Sequence, residues 1–205
     1  FQKALDMKPN NGAVHYELGN IYSILEKPQL ALEQYSAAVK ADANNYWFRL
    51  SYATALRDLG QSSKAIEEFQ QLIKDEPKRL ELKYEVAQLL LNNGKKAEGI
   101  DVINLIEEEL GVTEEVSLLK QRVYLSENNV DAAAAEIQKL IDAYPDEINY
   151  YGILADTYAA NGRRAKALEV YEKMQRIDST NYKVQFSMAE FYRQDGKVDL
   201  YKEYI

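Results

Sequence analysis

The chain has 205 residues, of which 46% are apolar and 28% are charged, a composition that indicates a folded protein with a sizeable core and excludes a disordered or membrane-spanning chain. It contains no cysteine, which excludes disulfide bonds, thiolate nucleophiles and cysteine-ligated zinc. The 25 basic and 33 acidic residues give a net charge of −8, which argues against nucleic acid as a general partner.

A sequence pattern returns every 34 residues. Segments that begin with an apolar or basic residue followed by alanine occur at 30–35, 64–69 and 166–171, separated by 34 residues or by three times 34. Residues that punctuate helices fall on the same spacing: Gly60, Gly94, Gly162 and Gly196, with Pro9, Pro77 and Pro145. A fixed period of this length indicates a repeat architecture.

Each repeat is predicted to form two amphipathic helices, because apolar and small residues recur at helical spacing in two stretches. The glycine between the stretches suits a tight turn, and the proline or its substitute ends the second helix. In chain order we expect a second helix at 1–11, five full repeats and an incomplete sixth: 12–45, 46–79, 80–113, 114–147, 148–181 and 182–205. Because both ends fall inside helices, we expect the chain to be an excerpt of a longer one.

The residues at the repeated positions resemble the tetratricopeptide repeat (TPR) family, in its bacterial form. Leu18, Gly19, Tyr22, Ala31 and Tyr35 are similar to the family pattern, and 148–181 repeats it with an added turn glycine. The resemblance covers the whole chain, although its tryptophan position is not kept. It implies an all-α fold, a right-handed superhelical solenoid of antiparallel helix pairs.

The repeat at 114–147 is degenerate. Lys120 and Gln121 occupy positions that are apolar and small in the other repeats. Sliding the first helix by one residue would place Val116, Leu119 and Val123 inward and restore its apolar face. The sequence therefore predicts a one-residue register shift, absorbed by the turn at 128–129.

The first helices of stacked pairs line a concave groove that suits a peptide or a partner helix. The predicted partner-binding residues are Tyr16, Asn20, Trp47, Leu50, Thr54, Tyr84, Gln88, Arg122, Lys183, Phe186 and Glu190, and Asn149, Gly152 and Asp156 also face the groove. The aromatic residues are the strongest candidates, because they supply a large contact area at low entropic cost. The alternative is that these aromatic residues pack on the neighbouring repeat.

The charge is concentrated in one segment, since residues 101–150 hold 12 acidic and three basic residues. One hypothesis is an acidic patch that steers a basic partner. Its predicted members are Glu107, Glu108, Glu109, Glu114 and Glu115. The alternative is an ordinary solvated surface.

The sequence offers no catalytic constellation, metal site or cofactor site. His15 is the only histidine, and there is no glycine-rich phosphate loop. We therefore expect a non-catalytic scaffold that binds a protein or peptide in its groove. The alternative is a sensory or regulatory TPR array attached to a catalytic or signalling domain outside this segment.

Other expectations concern partners and compartment. No apolar run approaches the roughly 20 residues that span a bilayer, so we expect no direct membrane insertion. The N-terminal helix exposes Phe1, Ala4 and Leu5, which predicts a capacity for end-to-end self-association. The composition resembles arrays of the bacterial cell envelope or periplasm more than those of the cytoplasm, and the partner's identity stays open.

Overall fold

A computed structural model describes residues 10–204, apart from the side chain of Lys183. This part of the chain forms twelve α-helices and contains no β-strand, so the predicted all-α class is confirmed. The helices are α1 (Gly12–Ile24), α2 (Pro28–Ala41), α3 (Tyr46–Asp58), α4 (Ser62–Asp75), α5 (Leu80–Asn92), α6 (Lys96–Leu110), α7 (Glu114–Ser126), α8 (Val130–Ala143), α9 (Ile148–Ala160), α10 (Arg164–Ile177), α11 (Tyr182–Gln194) and α12 (Val198–Glu203).

The helices form consecutive antiparallel pairs, and every helix start recurs after 34 residues. Odd-numbered helices, the first of each pair, begin at residues 12, 46, 80, 114, 148 and 182. Their partners begin at residues 28, 62, 96, 130, 164 and 198. The chain divides into two compact units, Phe1–Ile106 and Glu107–Ile205, here called the N-terminal unit and the C-terminal unit.

The turn inside each pair places one residue in the left-handed backbone region. The six residues with this conformation are also 34 apart: Glu26, Gly60, Gly94, Asn128, Gly162 and Gly196, with φ between 54° and 75°. Glycine adopts this φ without steric cost, which explains why it dominates the position. Glu26 adopts it as well, although its residue type gives no signal of the turn.

Helix starts are fixed locally by polar caps. Asn11 accepts a hydrogen bond from the backbone N–H of Val14, and Asn45 accepts bonds from those of Trp47 and Phe48. These caps satisfy N–H groups that the first helical turn leaves unpaired.

Small residues lie where neighbouring helices approach most closely. In the first helices the alanines at this position are at most 1% exposed: Ala53, Ala87, Ala155 and Ala189. Larger apolar side chains, such as Phe69 in the N-terminal unit and Leu140 in the C-terminal unit, fill the space between layers and are at most 1% exposed. Removal of this apolar surface from water is the main stabilising contribution to each unit.

The predicted register shift at 114–147 is wrong. Helix α7 begins 34 residues after α5 and 34 before α9, and Lys120 and Gln121 are buried at 2% and 9% exposure. Val116 and Val123 are buried as well, whereas Leu119 is only half-buried. The repeat therefore keeps its register and buries polar side chains in apolar positions.

Four alternating charges compensate the burial of Lys120. Its Nζ lies 2.9 Å from a carboxylate oxygen of Glu107 and 2.9 Å from one of Glu136. The Nζ of Lys139 lies 3.1 Å from each of the same two carboxylates. These residues, here called the ion-pair cluster, bring two positive and two negative charges together, which offsets the cost of removing them from water.

The second buried polar residue of α7 is paired across helices. The side-chain Nε2 of Gln121 donates a 2.9 Å hydrogen bond to Oγ1 of Thr157, which in turn donates to the backbone carbonyl of Ile153 at 2.7 Å. A buried amide needs such a partner, because an unpaired one costs its full desolvation penalty.

None of the helices in residues 10–204 has the length and apolar character needed to cross a membrane.

Substitution of Lys120 by methionine leaves Glu107 and Glu136 facing only Lys139. We expect the free energy of unfolding to fall by about 3–5 kcal/mol, since removing one member strands buried charge. Urea unfolding followed by circular dichroism measures this loss. Lys139→Met is the comparison, because the Lys139 side chain is 40% exposed and water compensates its removal. A loss for Lys120→Met no larger than that for Lys139→Met would contradict the role of the cluster.

The cluster also makes stability depend on pH. Burial alone would raise the pKa of Glu107, but hydrogen bonds and positive charges from Lys120 and Lys139 hold it below the ordinary 4.5. A carboxylate with a lowered pKa stabilises the fold above its unfolded pKa, and this contribution is lost as pH falls through the folded value. We therefore expect the stability difference between wild type and Glu107→Gln to be largest above pH 4.5 and to shrink below it.

Urea unfolding at several pH values between 7 and 3, as flagged approximations on the usual acid scale, measures this difference. Glu108→Gln is the matched control, because Glu108 is the exposed neighbour and is predicted to change stability little at any pH. A difference for Glu107→Gln that stays constant with pH would refute the prediction.

Candidate functional site

A pocket of about 290 Å³ opens between α1 and α3 in the N-terminal unit. Four of the predicted partner-binding residues line it: Tyr16, Trp47, Leu50 and Thr54. Trp47 stands at the start of α3, where the Asn45 cap fixes the backbone, and its side chain is 58% exposed. An indole exposed beside a pocket is available for contact with another molecule.

The other wall of this N-terminal pocket is held by a hydrogen bond between helices. The hydroxyl of Tyr35 on α2 donates to Oδ1 of Asn20 on α1 at 2.9 Å. The ring of Tyr16 lies 6.0 Å from that of Tyr35 and 5.2 Å from that of Phe48. Tyr16 therefore packs on the neighbouring helices and lines the pocket with the rest of its surface.

In the C-terminal unit two adjoining pockets, of about 560 and 400 Å³, lie between α9 and α11. Both are lined by Asp156 and Ser187, so they form one continuous depression, here called the C-terminal groove. Ile153, Met174 and Val184 give it an apolar lining. Phe186 stands along it with 65% of its surface exposed.

A hydrogen bond equivalent to that of Tyr35 holds the centre of the C-terminal groove. The hydroxyl of Tyr171 on α10 donates to Oδ1 of Asp156 on α9 at 2.9 Å. Both residues lie four repeat lengths after Tyr35 and Asn20. Burial of the phenol, together with the negative charge of Asp156, raises the pKa of Tyr171. The hydroxyl therefore stays protonated and keeps donating to the exposed carboxylate.

The C-terminal groove is electronegative. Asp156, Asp178 and Glu190 line it, and no lysine or arginine side chain in the described part of the chain does. Hydrogen bonds from the side chain and backbone of Thr180 lower the pKa of Asp178. A hydrogen bond from Arg193 lowers that of Glu190. These carboxylates are therefore ionised at neutral pH.

Several predicted residues lie elsewhere. Tyr84 is half-buried and Gln88 is exposed, and neither lines these pockets; the Gln88 amide donates to Asn92 instead. Arg122 is exposed, and its Nε donates to the backbone carbonyl of Leu118. The side chain of Lys183 lies outside the described part of the chain. The structure thus gathers the candidates into two separate sites, one in each unit.

Met174 and Asp178 line the C-terminal groove but were missed in the sequence. They belong to the end of a second helix and to the connection that follows it, whereas sequence reasoning placed the site on first helices alone. No local signal identifies them, because their contribution depends on how adjacent helices pack.

Four of the five predicted acidic-patch residues are exposed: Glu108, Glu109, Glu114 and Glu115. Glu107 does not belong to this surface, because its side chain is only 16% exposed and both lysines of the ion-pair cluster neutralise it. The acidic surface is therefore smaller than its sequence suggests.

Metal-ligating groups are not assembled in either unit. Within residues 10–204, no three His, Asp or Glu side chains are grouped so that they could hold a metal ion. The lone His15 is half-buried on α1, and its Nδ1 lies 2.8 Å from the side-chain oxygen of Gln34.

The 34-residue helix pairs, the left-handed turn between their helices and the small residues at their contacts define an α–α repeat protein. Models described as tetratricopeptide repeat match residues 13–45, 50–110 and 119–182. These segments make up more than half of the chain, which therefore belongs to the tetratricopeptide repeat family.

Solved structures with the same fold come from several proteins. MamA 41-end from Desulfovibrio magneticus RS-1 is 17% identical with a TM-score of 0.56, over 83% of this chain and 96% of that one. The C-terminal part of a TPR repeat-containing protein from Cytophaga hutchinsonii is 16% identical with a TM-score of 0.66, over 99% and 84%. YrrB, described as a TPR protein with an unusual peptide-binding site, is 16% identical with a TM-score of 0.56, over 91% and 96%. No curated protein sequence matches the chain.

Two glycines near the pockets are predicted to respond oppositely to alanine. A Cβ added at Gly152 would meet only Met174 Cε at 3.7 Å, so Gly152→Ala should stabilise α9 by up to about 1 kcal/mol through helix propensity. A Cβ at Gly19 would lie 2.5 Å from the ring of buried Tyr35, so Gly19→Ala should cost about 1–3 kcal/mol. Urea unfolding of both variants measures the two effects. Equal changes in the two would show that close approach does not distinguish these positions.

Proposed function

We propose that this chain is a non-catalytic scaffold that binds a peptide or protein segment along its first helices, in the N-terminal pocket and in the C-terminal groove. Membership of the TPR family supports the general role, since stacked helix pairs form extended binding surfaces. The observation that carries the proposal is the exposure of one large aromatic side chain beside each site, 58% for Trp47 and 65% for Phe186.

Water contact with so large an apolar surface is unfavourable, and both side chains stand beside depressions into which a partner's side chains fit. Aromatic residues in this setting commonly dominate binding energy, because they bury a large area with few rotatable bonds. The burial of Trp47 and Phe186 by a partner would therefore supply much of the affinity.

The carboxylates of the C-terminal groove favour binding over catalysis. A general acid at neutral pH needs a raised pKa, which enzymes obtain by burying the group or pairing it with another carboxylate. Asp178 and Glu190 have lowered pKa values instead, and Asp156 is exposed on α9. Such groups act as fixed negative charges.

Trp47 provides a direct test in the N-terminal unit, because it is the only tryptophan of the chain. A 12-residue phage-displayed peptide library, selected on the full chain, supplies the probes, of a length estimated to span about 18 Å as a helix. We expect selected peptides to shift Trp47 emission to shorter wavelengths as the indole leaves water. Trp47→Ala should weaken these peptides by about 30-fold, the loss typical of a central aromatic contact.

Leu105→Ala is the control, because Leu105 is 46% exposed on the second helix α6 and does not line the N-terminal pocket. Its affinity for the same peptides should equal that of wild type. If Trp47→Ala and Leu105→Ala bind every selected peptide as wild type does, the N-terminal pocket is not a binding site.

A further inference from the structure

We propose that the C-terminal groove selects partner segments in which a lysine or arginine accompanies an apolar side chain, an inference that rests on the proposed function. The charge of the groove and its shape both point to this class of segment. The N-terminal pocket differs from it in charge.

The negative charge at the centre of the C-terminal groove is uncompensated. Asp156 lines both of its pockets, and its Oδ1 accepts a hydrogen bond from the neutral hydroxyl of Tyr171. In the described part of the chain Asp156 forms no ion pair, whereas Glu190 has Arg193 at 2.7 Å. A carboxylate held in place by a neutral donor can accept a charge-assisted hydrogen bond from a partner's ammonium or guanidinium group.

An apolar side chain has room one helical turn away. Gly152 precedes Asp156 by four residues, so the two positions lie on the same side of α9. Because Gly152 has no side chain, the groove is open there, with Met174 as the nearest group to any added Cβ. A segment can therefore place an apolar group against Met174 and Ile153 while its cation reaches Asp156.

The N-terminal pocket lacks this charge. The position equivalent to Asp156 is Asn20, which accepts the same hydrogen bond from Tyr35 but is neutral. The charged residue that lines this pocket is Asp58, and Arg57 lies 2.9 Å from its carboxylate. The two sites thus share a geometry, and charge complementarity assigns cationic segments to the C-terminal groove.

The equivalence of Asn20 and Asp156 provides an isosteric test, Asp156→Asn, which keeps an acceptor for Tyr171 and removes only the charge. Peptides from the 12-residue library that lose affinity for Phe186→Ala are taken as ligands of the C-terminal groove, a length estimated from the helical rise at about 18 Å. We expect these peptides to carry lysine or arginine. Replacement of that residue by glutamine should weaken binding to wild type at least tenfold, as an order-of-magnitude expectation.

Against Asp156→Asn, the cationic peptide and its glutamine version should bind equally well, which defines the coupling between the two charges. Asp142→Asn is the matched control, because Asp142 is exposed on α8 outside the groove and its replacement changes the net charge by the same amount. This variant should keep the wild-type preference for the cationic peptide.

Two results would overturn the inference in different ways. Peptides that depend on Phe186 but bind wild type equally well with glutamine in place of the cation would refute the charge preference and leave the groove as a binding site. If no selected peptide depends on Phe186 or on Trp47, the proposed function itself fails.

Discussion

The close approach of neighbouring helices is the constraint on which the rest of each unit depends. It holds only where the contact position carries a small residue, as the complete burial of Ala53 and Ala155 shows. At Gly19 even a methyl group would collide with Tyr35. Once the helices are this close, a 34-residue spacing of helix starts follows, and side chains on the first helices that do not pack between layers stay available for other contacts.

Helix α7 shows how this geometry tolerates residues that contradict it. A buried lysine would normally favour a different register, but Glu107 and Glu136 approach Lys120 from α6 and α8. Such a cluster adds little net stability compared with apolar residues of the same size, yet the loss of one member is costly. It therefore enforces one arrangement of these three helices, and it removes two carboxylates from the acidic surface of residues 101–150.

The two candidate sites illustrate how one framework supports different chemistry. Tyr35 and Tyr171 occupy equivalent positions and donate the same hydrogen bond to a residue on the adjacent first helix. The acceptor is an amide at Asn20 and a carboxylate at Asp156, so the change of one functional group converts a neutral site into an anionic one. Because the backbone and the hydroxyl are the same, charge distinguishes the two sites without any difference in fold.

The sequence by itself determined the all-α class and the family, because helix pairs, turns and small contact positions are local patterns that recur every 34 residues. It also identified Trp47 and Phe186, whose positions follow from helical periodicity. Only the tertiary structure decided the register of α7, since the partner of Gln121 is Thr157, 36 residues away. Hydropathy places an isolated lysine or glutamine outside, because burial costs free energy, and the groups that offset this cost lie on other helices. The same reason applies to Met174 and Asp178, which join the C-terminal groove only through packing.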